Sequence, residues 1–188
     1  MSKSSVRQLL QDPENKKIPT ASGWSKLEKK LMSRCLKLAD SAQKKGEIPV
    51  AALIIDENGQ ILAESGNQRE QLQTVLGHSE LVVLHNACKK LASWRLANCT
   101  LFVTLEPCHM CAAAIMQARV RKVVFATRDP KAGAFGSKID LSTIPEMHHH
   151  IEVRSGLYAE ESSKLIKDFF KRRRSEKKTL KTNLRNVN

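Results

Sequence analysis

The 188-residue chain lacks any apolar run approaching the ~20 residues that a membrane-spanning helix requires. Its opening stretch, MSKSSVRQLLQDPENKKIPTASGW, lacks the apolar core of a secretory signal. No internal repeat is present. Together these absences point to a soluble cytoplasmic protein with no membrane partner. Cysteine is sparse, and five is an odd number. In a reducing compartment such cysteines are thiols or metal ligands, not a disulfide framework. Acidic residues are also short, with 19 Asp and Glu against 32 Lys and Arg, which leaves a formal net charge of +13. Much of that excess is local. From Lys164 onward ten basic residues face only Asp168 and Glu176, the pattern of an arm that meets polyphosphate, or else of a solvated charged tail.

What is present fits one α/β core with tails, since this length suits one buried domain and not two. Residues 1–24 are polar and aperiodic and read as a disordered or extended lead-in; residues 25–175 read as the folded domain and 176–188 as a basic tail. Leu27, Leu31, Cys35, Leu38 and Ala42 recur at helical steps, and Gly46 and Pro49 end that helix. VAALIID and QILAES flank Asn58-Gly59, so two strands meet in a hairpin. Leu81, Leu84, Cys88 and Leu91 mark a second helix, with His78 at its start. CTLFVTL, a helix from Pro107 to about Arg119, and KVVFAT form a strand, helix, strand run, which closes with parallel strands. Residues 127–150 read as a long connection, IEVRSG as a last strand, and a final helix from about Ala159 buries Leu165, Ile166, Phe169 and Phe170.

The chemistry concentrates in LEPCHMCAAAIM. Haem attachment is excluded, because it needs His after the second cysteine and position 112 is Ala. A four-cysteine zinc ribbon is excluded by the isolation of Cys35, Cys88 and Cys99. A redox pair at a helix N-terminus remains open, as do two buried core cysteines. So does half of a catalytic zinc site, in which two thiolates and an imidazole leave a fourth position free. His109 points about 100° round the helix from Cys108, away from any ion that Cys108 would hold. His85 falls within a helix, and His148, His149 and His150 lie in the long connection. His78 opens a helix, and Glu80 follows two residues later.

His78-x-Glu80, followed about thirty residues on by Pro107-Cys108-x-x-Cys111, resembles the signature of the zinc-dependent nucleobase deaminases. The stretches Ile48-Pro49-Val50, Asn67, TLEPCHMCAAAI, RDPKAGAFGS and DFFKRRR narrow the resemblance to bacterial tRNA-specific adenosine deaminases over roughly residues 27–174. That resemblance implies a three-layer α/β/α cytidine-deaminase-like fold with a central mixed five-stranded sheet. It implies one Zn2+ per subunit on His78, Cys108 and Cys111, with Glu80 shuttling the proton from water to the leaving nitrogen. It further implies that Val50 and Asn67 contact the target nucleotide. Asp129, Lys131, Phe170, Arg172, Arg173 and Arg174 would then grip a tRNA anticodon loop across a homodimer, and the product would be inosine at the wobble position.

The chain departs from the family pattern beside the pocket. Ser79 stands where Ala is usual, Thr74-Val75-Leu76-Gly77 where Asp-Pro-Thr-Ala is usual, and Ala51 where Gly is usual. The ligand set and Glu80 are untouched. Two other readings compete with tRNA editing: deamination of a free base such as guanine, and a zinc-stabilised RNA-binding module without catalysis.

Overall fold

The computed structural model describes residues 23–144 and 149–185, with side chains up to residue 180. The lead-in expected over residues 1–24 therefore lies outside the described residues except for its last two positions, and so does His148. Ser25 opens helix α1 (Lys26–Lys44) with a capping box: its hydroxyl accepts from the Glu28 backbone, and Glu28 returns a carboxylate oxygen to the Ser25 N–H at 2.9 Å. Strands β1 (Ala51–Ile55) and β2 (Ile61–Gly66) form the expected hairpin. Asp56 closes it by accepting from the N–H groups of Asn58 and Gln60, and Gly59 supplies the left-handed residue at φ 79°.

A single-turn helix α2 (Arg69–Leu72) follows, then α3 (Ser79–Leu91), β3 (Thr100–Leu105), α4 (His109–Gln117), β4 (Lys122–Thr127), β5 (Glu152–Ser155) and α5 (Ala159–Arg185). The sheet order is β2-β1-β3-β4-β5. β1 lies antiparallel to both neighbours, while β3, β4 and β5 run parallel, which makes the mixed five-stranded sheet.

Alternation along the strands divides the core into two layers. Ala52, Ile54, Leu101, Val103, Val123 and Phe125 pack with Val83, Leu84 and Ala87 of α3 and Ala112, Ile115 and Met116 of α4. Leu53, Ile55, Phe102, Val124 and Ala126 face the other way, onto Leu31, Met32 and Cys35 of α1. Central strands buried on both faces explain the nearly unbroken apolar runs in the sequence. The result is the expected α/β/α sandwich.

Two details differ from the sequence reading. Pro107 sits one residue before the α4 N-cap, which is Cys108 itself, and not inside the helix. Of the four α5 residues expected to be buried only Phe169 is; Leu165 and Ile166 are half-buried, and Phe170 is 41% exposed. At about 100° per residue the positions 165, 166, 169 and 170 spread over about 140° of the helix, and Phe170, at one edge of that arc, turns outward. Helix α5 is continuous through residue 175 and every side chain from 171 to 180 is exposed, which puts the basic run on a projecting helix. Among the described residues no helix is long and apolar enough to cross a membrane.

Candidate active site

Two helix starts converge at the carboxyl edge of the parallel strands, the edge where open α/β sheets place their ligands. His78 is the N-cap of α3, with extended backbone at φ −64° and ψ 136°, and Cys108 is the N-cap of α4, at φ −71° and ψ 172°. Neither side chain caps its own helix. Both are thereby free to face each other across the gap. Cys111, three residues into α4, is fully buried beneath them. His78 Nδ1 lies 3.4 Å from the Cys111 sulfur and 3.8 Å from the Cys108 sulfur, and the three donor atoms lie within 4.8 Å of one another.

That spacing can be compared with a metal site. Tetrahedral zinc with Zn–N near ~2.05 Å and Zn–S near ~2.3 Å places nitrogen and sulfur about 3.6 Å apart. The two observed separations straddle that value, and one imidazole with two thiolates is a borderline-soft donor set suited to zinc. The three residues fit a metal ion. His109, though adjacent to Cys108 in the chain, is exposed and outside the cluster, as is His85; His149 binds the Val120 carbonyl at 2.7 Å.

Electrostatics within the cluster are those of sulfurs sharing a proton. A hydrogen bond from Cys111 holds the Cys108 thiol down to about 3 against the opposing effect of burial, with His78 assisting. Cys111, the donor, is pushed upward by that same bond and then by burial. Glu80 stands on the first turn of α3, 4% exposed, and burial raises its carboxyl above the ordinary range. The Ser79 hydroxyl donates to Glu80 Oε2 at 2.9 Å, which partly offsets that rise. Helical positions two apart point about 200° from each other, yet His78 and Glu80 reach the same space. The extended backbone of His78 is the reason: it is not a helical residue.

Other expected contact residues gather at the same edge. Val50 is buried, and its carbonyl accepts from the Asn67 N–H at 2.8 Å. Asp129 folds its own turn, accepting from the Lys131 and Ala132 N–H groups, and leaves Lys131 exposed. Helix α5 passes Thr104 near the end of β3, where the Ser162 hydroxyl bonds its carbonyl, and reaches the last turn of α1. There Phe169, Arg172 and Arg173 line a groove of about 380 Å³ with Gln43, Lys44 and Gly46. Phe170 and Arg174 lie on exposed parts of that helix. The 74–77 segment forms a short 3-10 turn over Val75–Gly77, capped by the Thr74 hydroxyl. Gly77 is needed there, because a Cβ would lie 2.7 Å from the Arg69 backbone.

Two buried carboxylates escaped the sequence reading. Glu47 accepts from Asn67 Nδ2 and the Gln71 N–H. Glu106 accepts from the N–H groups of Asp129, Phe135 and Ser137 and from the Ser137 hydroxyl, and so ties the residue before Pro107 to the 129–137 loop. The one available signal was a charged residue at the end of a buried strand, TLFVTLE, where an unpaired carboxylate would be costly. Gly133 packs directly on this anchor: a Cβ would fall 2.4 Å from Glu106 Cδ. Gly133→Ala is expected to cost about 1–3 kcal/mol by overpacking. Thermal unfolding should then fall by about 2–4 °C per kcal/mol. An unchanged melting temperature would mean that the loop does not bear on Glu106.

The fold and the His-Cys-Cys cluster beside a buried glutamate define the class, a deaminase. Residues 27–174 match the family model of the MafB19-like deaminases. The tRNA-specific adenosine deaminase of Haemophilus influenzae is 41% identical over 163 residues, which span 87% of this chain and 94% of that protein. The Bacillus subtilis tRNA-specific adenosine deaminase is 42% identical over 81% of this chain and 94% of its own length. A structure from a study of A-to-I editing by tRNA:A34 deaminases at the wobble position superposes with a TM-score of 0.70 at 40% identity, covering 72% of this chain and 98% of that one. The chain belongs to the family of tRNA-specific adenosine deaminases. Guanine deaminase from Nitrosomonas europaea, at 20% identity and a TM-score of 0.63 over 90% of this chain and 93% of that one, shares the fold alone.

Proposed function

We propose that this protein hydrolyses adenosine to inosine and ammonia at the wobble position of a tRNA anticodon loop, as a homodimer with one zinc ion per subunit. The observation that carries the reading is the His78, Cys108, Cys111 cluster with Glu80 buried against it at a sheet edge that also carries the basic helix. His78 Nδ1 and the two sulfurs would hold the zinc, which supplies Lewis acidity that makes water a nucleophile at neutral pH. Glu80 is not needed as a ligand. Its carboxylate takes a proton from the attacking water and delivers it to the departing amine, and its burial raises its affinity for that proton.

Val50 and Asn67 would border the target nucleoside. An anticodon base must be splayed from its stack before its C6 can be reached, and phosphates around it must be gripped to keep it there. Lys131, Phe170 and the Arg172 to Arg174 run are exposed and suited to that grip, and Asp129 shapes the turn that presents Lys131. Leu72, Val75 and Leu76, 51%, 65% and 61% exposed on the segment leading into His78, supply apolar surface for the second subunit.

Deamination of an anticodon stem-loop, followed as inosine formed, tests the reading. Binding through phosphates makes log affinity fall linearly with log salt, at a slope of about −0.7 per contact for single strands. The triple variant Arg172→Ala, Arg173→Ala, Arg174→Ala is expected to make that slope shallower by about 2. A salt-independent reaction with comparable turnover of free guanine or free adenosine would instead identify a free-base or nucleoside deaminase.

A further inference from the structure

The positive charge of α5 is not spread evenly round the helix. Lys164, Lys167, Lys171, Arg174 and Lys178 follow one another at steps of three and four residues, and all five are exposed. The same steps continue in the sequence to Lys181 and Arg185, so the row spans about 30 Å of helix. At about 100° per residue all of these positions fall within an arc of about 100°. Beyond the first turn the acids stand outside it. Asp168, about 40° past the edge, pairs Lys164 at 2.7 Å. Glu176, about 120° past the edge, meets Arg173 at 3.4 Å and Arg172 at 3.9 Å.

Folding does not account for such a row. Like charges three and four residues apart repel on a helix, and the macrodipole favours cations only in the last turn. The row instead starts beside the candidate active site. Lys164 and Lys167 line a groove of about 490 Å³ with Thr127, the last residue of β4, two residues before Asp129. Ser162, one turn earlier, bonds the Thr104 carbonyl near the end of β3 at 2.6 Å. From there α5 passes the last turn of α1 and projects, with every side chain from 171 to 180 exposed. Residues 175–185 lie beyond the stretch, 27–174, that matches the deaminase family model.

We propose that this basic row is a second RNA-binding surface, which grips the phosphate backbone of the double-helical stem carrying the target loop. The inference rests on the tRNA reading above and extends it from loop to stem. A straight line of cations on one helix face suits a duplex, whose phosphates stand in regular order, and it reads no base. Splayed loop nucleotides offer no such line. Arg174, already placed against the loop, is where the two surfaces join.

The test uses two RNA hairpins with the same anticodon loop, one closed by a short stem and one by a stem extended by a helical turn. Binding of each is followed across a salt series. The stripe variant Lys171→Gln, Lys178→Gln, Lys181→Gln is compared with a control, Lys26→Gln, Lys29→Gln, Lys30→Gln. The control removes the same charge from exposed positions at the far end of α1. Gln keeps nearly the helix propensity of Lys, so both helices are retained.

The unsubstituted protein is expected to bind the long-stem hairpin about tenfold or more tightly than the short one, with a steeper salt slope. At about −0.9 per duplex contact, the stripe variant should make the slope on the long stem shallower by about 2–3, lose most of that preference and raise KM for the long stem. The control should leave both slopes where they were. Equal affinity of the unsubstituted protein for the two hairpins, or the same change of slope in both variants, would reduce the row to bulk positive charge and overturn the inference. These outcomes are read as binding and stand apart from the deaminase reading, which falls if the unsubstituted protein binds the hairpins and forms no inosine.

Discussion

Glu80→Gln is expected to lower the rate of inosine formation by about 10²–10⁴-fold, the usual contribution of a positioned general acid and base. The zinc content should stay that of the unsubstituted protein. The substitution keeps the shape of a fully enclosed side chain, and the Ser79 hydroxyl can donate to an amide oxygen as it does to Glu80 Oε2. Folding and metal content should therefore be preserved while the proton carrier is lost. An amide cannot accept a proton from water at neutral pH or return one to an amine. Because the metal ligands are intact, the loss should appear in kcat and leave KM near its original value. Measured by single-turnover inosine formation on an anticodon stem-loop, a rate within a few-fold of the unsubstituted protein would remove Glu80 from the mechanism.

The second large effect separates His109, which lies between the two cysteines, from His78, thirty residues upstream of Cys108. His78→Ala is expected to abolish zinc binding and activity together, whereas His109→Ala keeps both. His78 Nδ1 is one of three donor atoms gathered within 4.8 Å, and removing it leaves only two sulfurs of a three-donor set. His109 is exposed at the first residue of α4 and lies outside that cluster. Elemental analysis of the purified variants reads the difference directly. Ligand binding to the folded state raises its stability in proportion to the logarithm of ligand excess over Kd. Added zinc should therefore raise the melting temperature of metal-depleted His109→Ala and leave His78→Ala unmoved. The reverse pattern would transfer the imidazole ligand to His109.

Much of this site is legible in the chain because its parts are local. Cys108 and Cys111 are three residues apart, His78 and Glu80 two apart, and each pair sits where a helix begins, so spacing alone limits what the pair can do. The hairpin at Asn58-Gly59 and the parallel run through β3, α4 and β4 follow from equally short patterns. Phe170 shows the limit of such reading: helical periodicity marks a stripe of about the right width, but the edge of the stripe depends on what packs against it. Glu47 and Glu106 were illegible for a different reason. Their partners lie 20 to 31 residues away, and even the one local signal, Glu106 at the end of a buried strand, does not say which donors will meet the carboxylate.

By itself the sequence determined the class of fold, the two halves of a metal site and the strongly basic last helix, since each is encoded in periodicity, spacing or charge within a few turns of chain. Only the tertiary structure decided that the two halves meet, that His78 rather than His109 faces the sulfurs, and that Glu80 can share a space with a residue two positions before it. It alone also paired the Asn67 amide nitrogen with Glu47. The reason is common to all four: helix starts, amide pairings and buried carboxylates are fixed by contacts between distant segments, which exist only once the sheet has brought their ends to one edge.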